Sequence, residues 1–306
     1  MIELLNSPNP LDLPVYPDIN GVYRQRASAS LVRSSHSIAC IGDKLYTIGG
    51  NYGSLLPATL EVYDIPTDTW GVVSSINMPV ARHGSACCVS NGKFYIFGGS
   101  LGNGWSPMTN EAYVYDPTDN VWTKLENTPN AVALHSAVPI NGKIYLFGGF
   151  DGGNQSSAFY EYDPITNTYR TIPNGQSPIH GHRGVVIRNR MYLLGGAAGA
   201  GATNRLISYD PVSNTWAGHS PSPLGHTYAF AGVLGDNLYL FGGSLNTNTT
   251  TNKRLFKYNI NTDSWTELPS GASPRYLGWM AVSDKALYLH GGYDNSLTYK
   301  ELWEIT

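Results

Sequence analysis

The chain has 306 residues, of which 42% are hydrophobic and 13% charged, with a formal net charge of −3. That composition supports a folded core, lacks the basic excess that drives counterion release on nucleic acid, and holds no run of about 18 apolar residues that could form a membrane helix. Its 34 glycines, 21 tyrosines and 7 tryptophans disfavour long helices and suit many short strands joined by tight turns.

Residues 1–20 are rich in proline and stand outside every later pattern, so they are read as an N-terminal extension. They lack a basic start followed by an apolar core, and cytoplasmic residence is the expectation. From there on the chain repeats itself. A Gly-Gly pair closes an apolar run at Gly49, Gly98, Gly148, Gly195, Gly242 and Gly291, at intervals of 47 to 50 residues. Three residues before each pair stands a tyrosine: Tyr46, Tyr95, Tyr145, Tyr192, Tyr239 and Tyr288. Each of these runs is predicted to be a strand. A polar turn such as Asn91-Gly92 or Asn141-Gly142 and another apolar run precede it, which together make a hairpin. After the first five pairs comes a second tyrosine (Tyr63, Tyr115, Tyr162, Tyr209, Tyr258), and seven residues beyond it Trp70, Trp122, Tyr169, Trp216 or Trp265. The fixed seven predicts a second hairpin whose turn length cannot drift without losing register. Each unit is therefore four antiparallel strands. The sixth unit stops short of its fourth strand, and Tyr23 lies ten residues before Arg33, as Trp265 lies ten before Arg275. The segment NGVYRQR is therefore expected to complete the last unit and close a ring.

A four-stranded unit of this size cannot bury both faces alone, and stacking the units radially solves that problem. The Gly-Gly pair, the spaced Tyr-Asp and Trp, and Arg33, Arg82 and Arg275 sixteen residues before their pairs together resemble the kelch family. The resemblance covers residue 21 to the C-terminus and implies an all-β, six-bladed propeller of four antiparallel strands per blade, one domain over 21–306.

Function has to be read from what the repeat leaves unexplained. The segments leading into the innermost strands and those after the glycine pairs are predicted to project from one face, at the mouth of a central channel. Kelch proteins commonly bind there. The candidates for ligand contact are Arg33, Tyr52, Arg82, His83, Trp105, Phe150, His180, Arg183, Tyr228, Arg275, Tyr276 and Tyr293, with the arginines as bidentate donors to a carboxylate or a polyhydroxylated ring. The opposing expectation is that Arg33, Arg82 and Arg275, with His36, His135 and His182, bridge neighbouring blades. Asp151 and Asp294 have turn stabilisation as their alternative. Cys40, Cys87 and Cys88 show neither disulfide nor zinc spacing and are expected to be apolar strand residues. His180-Gly181-His182 would place two imidazoles on one face of an extended segment, but two histidines make no metal site, and no metal or other cofactor is expected.

Two classes of function remain. One is a monomeric interaction module that holds a protein, a peptide or a small polar molecule in an arginine- and aromatic-lined mouth. The other is a cofactor-independent enzyme of isomerase, mutarotase or cyclase type at the same place, with His83, His180, Tyr228 and Tyr276 as proton carriers.

Overall fold

A computed structural model describes residues 16–73, 78–173, 176–199, 201–245 and 250–306. No helix occurs among the described residues, and none long and apolar enough to cross a membrane. Six four-stranded antiparallel sheets form a ring. The first blade runs outward through Ser37–Ile41, Lys44–Ile48, Glu61–Asp64 and Thr69–Val72. The innermost strands of the other five are Ala86–Ser90, Ser136–Ile140, Arg183–Ile187, Phe230–Leu234 and Trp279–Val282. Adjacent sheets pack face to face, and their wedges are the core: Val138, Tyr145 and Phe147 meet Met191, Leu193 and Tyr209 between two blades.

The repeated tyrosine fastens the turn of each outer hairpin in the first five blades, and the aromatic that follows ties several of them to the neighbouring blade. Tyr63, Tyr115, Tyr162, Tyr209 and Tyr258 each donate through the hydroxyl to an Asp or Asn five residues on, at 2.5 to 2.8 Å. That acceptor sits at the tight turn in the left-handed conformation, as Asn120 and Asn167 show. The aromatic two residues later reaches the preceding blade in three of these blades: Trp70 Nε1 donates to the Ala27 carbonyl at 2.7 Å, the Tyr169 hydroxyl to that of Glu126 at 3.1 Å, and Trp265 Nε1 to that of Ser220 at 2.9 Å.

The ring closes as the sequence predicts. Tyr23–Arg26 pairs antiparallel with Leu302–Ile305, Tyr23 opposite Ile305 and Arg26 opposite Leu302. This removes two exposed sheet edges. The expected extension falls partly outside the described residues, at 1–15; residues 16–20 lie against the fifth and sixth blades, with Ile19 in the core between them and Asp18 paired to Lys257 at 2.9 Å.

Two belts of backbone hydrogen bonds tie the blades together around the channel. In the first, the N–H of each second glycine donates to the carbonyl sixteen residues before the next pair, for example Gly50 to Arg82 at 3.0 Å and Gly292 to Arg33 at 2.9 Å. The first glycine has to be glycine: a Cβ on Gly98, at φ +59, would lie 2.4 Å from the Val132 carbonyl oxygen of the next blade. The second belt is a closed circle. Ser35, Gly84, Leu134, Gly181, Tyr228 and Leu277 all adopt φ between +52 and +64, and each donates its N–H to the carbonyl of the preceding member at 2.5 to 3.0 Å. This circle forms the neck of the channel. The space at its level is about 10 Å³, lined by Ser35, Leu134, Tyr228 and Leu277 with Arg183 and Trp279 beneath, room for at most about one water.

Candidate functional site

Above the neck, the two segments assigned to one face do meet. In every blade the residue before the left-handed one bridges the second residue after the first glycine: Ser34 with Asn51, His83 with Ser100, Ala133 with Phe150, His180 with Ala197, Thr227 with Ser244, Tyr276 with Tyr293. Of these pairs, Ser34 with Asn51 and Tyr276 with Tyr293 line the mouth, while His83, Ser100, Ala133, Ala197, Thr227 and Ser244 are buried beneath it.

Five of the candidates line one bowl of about 580 Å³: Tyr52, Trp105, Tyr228, Tyr276 and Tyr293. Tyr52 is 50% exposed, and Leu55 and Leu297 stand exposed beside it. The Tyr228 and Tyr276 ring centroids are 6.1 Å apart, and those of Tyr276 and Tyr293 5.8 Å. Glycines of the lower belt seat two of the rings. A Cβ on Gly181 would lie 2.4 Å from the Tyr228 ring, and one on Gly84 2.5 Å from that of Trp105. Ser34, Asn51 and Thr298 supply polar groups at the edge, and no lining residue is charged.

His83 lies under Trp105, ring centroids 4.4 Å apart, and its Nε2 is 3.0 Å from the Gly102 carbonyl oxygen. His180 Nε2 is 3.0 Å from the Tyr228 hydroxyl, and the Phe150 ring packs 5.4 Å away. Burial lowers both imidazole pKa values and raises the hydroxyls of Tyr228 and Tyr276 to about 12. At neutral pH all four groups are uncharged. They do not converge on one point: His83 is covered by Trp105, and the Tyr276 hydroxyl donates to Asn295 Oδ1 at 2.8 Å. His180 and His182 diverge because Gly181 between them has φ +63 rather than an extended backbone, and His182 packs on Phe147 inside the wedge. Among the described residues no three metal-ligating side chains gather.

The arginines require a correction. Arg33 and Arg275 are 0% exposed and Arg82 is 1% exposed, so none of them is a donor at the mouth. Each turns back into its own blade. There it donates to the carbonyl of the first glycine sixteen residues on and pairs with a carboxylate at the start of the third strand: Arg33 with Glu61 at 3.1 Å, Arg82 with Glu111 at 3.0 Å, Arg275 with Glu301 at 2.8 Å. The sixteen-residue interval is the reach of that bond. Their backbone carbonyls, rather than their side chains, bridge the blades; His36, His135 and His182 do so with their rings, each of which lies against a glycine of the preceding blade. Arg183 is different again. It begins an innermost strand and lies below the neck. Asp151 and Asp294 cap turns, accepting backbone N–H groups at 2.6 to 2.9 Å.

Sequence reasoning missed the neutrality of the bowl and the tyrosine-to-Asn/Asp bonds. The second had a readable signal, an Asp or Asn five residues after each third-strand tyrosine.

Comparison with known proteins agrees with this architecture. The family model described as Attractin/LZTR1 β-propeller matches residues 45–303. The chain belongs to this family of kelch-type propellers. Similar relatives include β-scruin of Limulus polyphemus, 29% identical over 133 residues (42% of this chain, 14% of the relative), and Kelch-like protein 15 of Danio rerio, 30% over 138 residues (40% and 22%). A further one is N-(sulfonatooxy)prop-2-enimidothioate sulfolyase of Thlaspi arvense, 36% identical over 131 residues (40% and 36%). The matched stretch thus spans between 14% and 36% of these relatives' own length. Kelch-type propellers are generally protein-interaction modules.

Proposed function

We propose that this kelch propeller is a polypeptide-binding module whose mouth takes an uncharged loop or strand of a partner protein, with a proline or other flat apolar side chain laid on the tyrosines. The observation that carries this reading is the bowl itself. Tyr52, Trp105, Tyr228, Tyr276 and Tyr293 surround about 580 Å³ with no charged residue in its lining. Rigid aromatic rings give large contact area at low entropy cost, and hydroxyl and amide groups at the rim can meet a peptide backbone. Exposed Leu55 and Leu297 extend the apolar contact outward. A carboxylate-bearing ligand fits poorly, because the guanidinium groups that would meet it are inside the blades.

The test uses an unbiased peptide library displayed on phage. Peptides selected on the full chain should bind Tyr52→Ala and Tyr293→Ala about tenfold more weakly or worse, as hot-spot aromatics do, and should be neutral and rich in proline or aliphatic residues. Selected peptides that are strongly acidic, or that bind both variants as well as the parent, would overturn the reading.

A further inference from the structure

Below the neck the channel widens again into a second cavity of about 360 Å³, separate from the bowl. It runs along the innermost strands toward the opposite face, past Cys87, Val138, Val186 and Met280. Its side chains are mostly apolar except at the inner end, where Arg183 stands with the Ser136 hydroxyl. That side chain crosses the channel from the fourth blade, donating Nε–H to the Ala229 carbonyl and Nη2–H to the Gly278 carbonyl at 2.9 Å. Its guanidinium carbon lies 4.2 Å from the centroid of the Trp279 ring. Among the described residues, Nη1 has no acceptor within hydrogen-bonding range, and no carboxylate pairs with Arg183.

The contrast with Arg33, Arg82 and Arg275 is direct, since each of those meets a glutamate. Arg183 is partly buried, and a guanidinium at the end of a narrow, mostly apolar channel without a counter-ion is costly, a cost relieved by an anion that enters from solvent. The ionisable groups nearest to it do not supply one. Burial raises the Cys87 thiol to about 12 and holds the His36 and His182 imidazoles well below their ordinary value, so all three are neutral at pH 7. A lone cation at the blind end of an aliphatic tube selects a ligand with one negative charge at its tip and an apolar body behind it.

We infer that the lower channel is a binding site for a small monocarboxylate with an apolar body, its carboxylate accepting from Arg183 Nη1 and its chain lying between Val138, Val186 and Met280.

Titration calorimetry on the full chain is the first test. Hexanoate should bind, and hexanol and acetate, which keep only the body or only the charge, should each bind at least about tenfold more weakly. Arg183→Met should lose the preference for hexanoate over hexanol. Val186→Phe, which fills the tube and leaves Arg183 in place, should weaken hexanoate by a similar factor while peptides selected at the mouth still bind. If hexanoate fails to bind at millimolar concentration, or binds no better than hexanol, or binds Arg183→Met as well as the parent, then Arg183 is a strut between blades only and the site does not exist. Because the peptide readout is separate, failure here leaves the reading of the mouth standing, and the reverse also holds.

Discussion

The interior of a blade and the mouth above it draw on neighbouring residues of one segment and sort them by charge. In the first blade Arg33 turns inward to Glu61, Ser34 bridges Asn51 at the rim, and Ser35 enters the neck with φ +52. Three successive residues thus have three destinations. The interior collects cations beside carboxylates that the fold itself supplies, and the bowl is left uncharged. In a wheel of short strands, strand alternation and one left-handed residue decide whether an arginine belongs to the scaffold or to a ligand surface.

The largest way to sharpen this comparison is acid, which acts on the interior. Burial lowers the pKa of His135 and His226 to about 4 and of His182 and His290 to about 3, and holds that of His36 well below the ordinary value. His36 Nε2 and His290 Nδ1 are 3.0 Å apart across the closing wedge, where one proton at most can be shared between them. A histidine whose folded value lies below its unfolded value of about 6.5 leaves stability intact above that pH. Below it the unfolded chain takes up protons that the folded chain refuses. Stability is therefore full near pH 7 and falls as the pH drops from about 6.5 toward 4, each buried imidazole contributing up to about 1.4 kcal/mol per pH unit. Urea unfolding at pH 7 and at pH 5 should show a loss of several kcal/mol, and His182→Asn should flatten that slope more than His180→Asn at the mouth. Equal stability at the two pH values would show that these rings are not enclosed as described.

Next in size is the charge sorting. Arg33→Met leaves Glu61, 0% exposed, without its counter-ion. Breaking a buried pair on one side costs about 3–5 kcal/mol. Tyr52→Ala, on the exposed rim, should change stability by no more than about 0.5 kcal/mol. Thermal and urea denaturation of the two variants read the difference, and a Tyr52→Ala protein as destabilised as Arg33→Met would erase the division between interior and mouth.

Much of this architecture is legible in the residues. The six glycine pairs, the tyrosine three before each, and the truncated last unit give the blade count and the closure by Tyr23–Arg26. The placement of the lead-in and post-glycine segments at one end follows from strand direction alone. The arginines are misread because a period-2 expectation carries no information about a kink. Tyr228 and Leu277 have side chains that give no hint of positive φ, yet the belt requires it at that position in every blade. The turn through this residue redirects its neighbours, so Arg275 goes inward while Tyr276 faces the bowl. The depth of Arg183 is hidden for a different reason: it stands sixteen residues from no glycine pair and belongs to the strand itself.

The smallest effect tests what the mouth does rather than how it is held. Tyr228 has two roles that one atom separates. Its ring fills the space over Gly181, and its hydroxyl is 3.0 Å from His180 Nε2. Tyr228→Phe keeps the ring and removes only the hydroxyl. A neutral hydrogen bond of this kind contributes about 1 kcal/mol, so the variant should lose about that much stability. A stacking surface is indifferent to the missing oxygen, and peptides selected on the parent should bind Tyr228→Phe within about twofold. A proton-transfer pair is not indifferent, because His180 would lose the group that orients its tautomer. Peptide titration and a urea melt on the same preparation therefore separate the roles. A stability loss of about 1 kcal/mol with binding retained fits the binding module. Binding reduced tenfold or more in a folded variant would mean that the His180–Tyr228 hydrogen bond, and not the ring, is what the mouth presents.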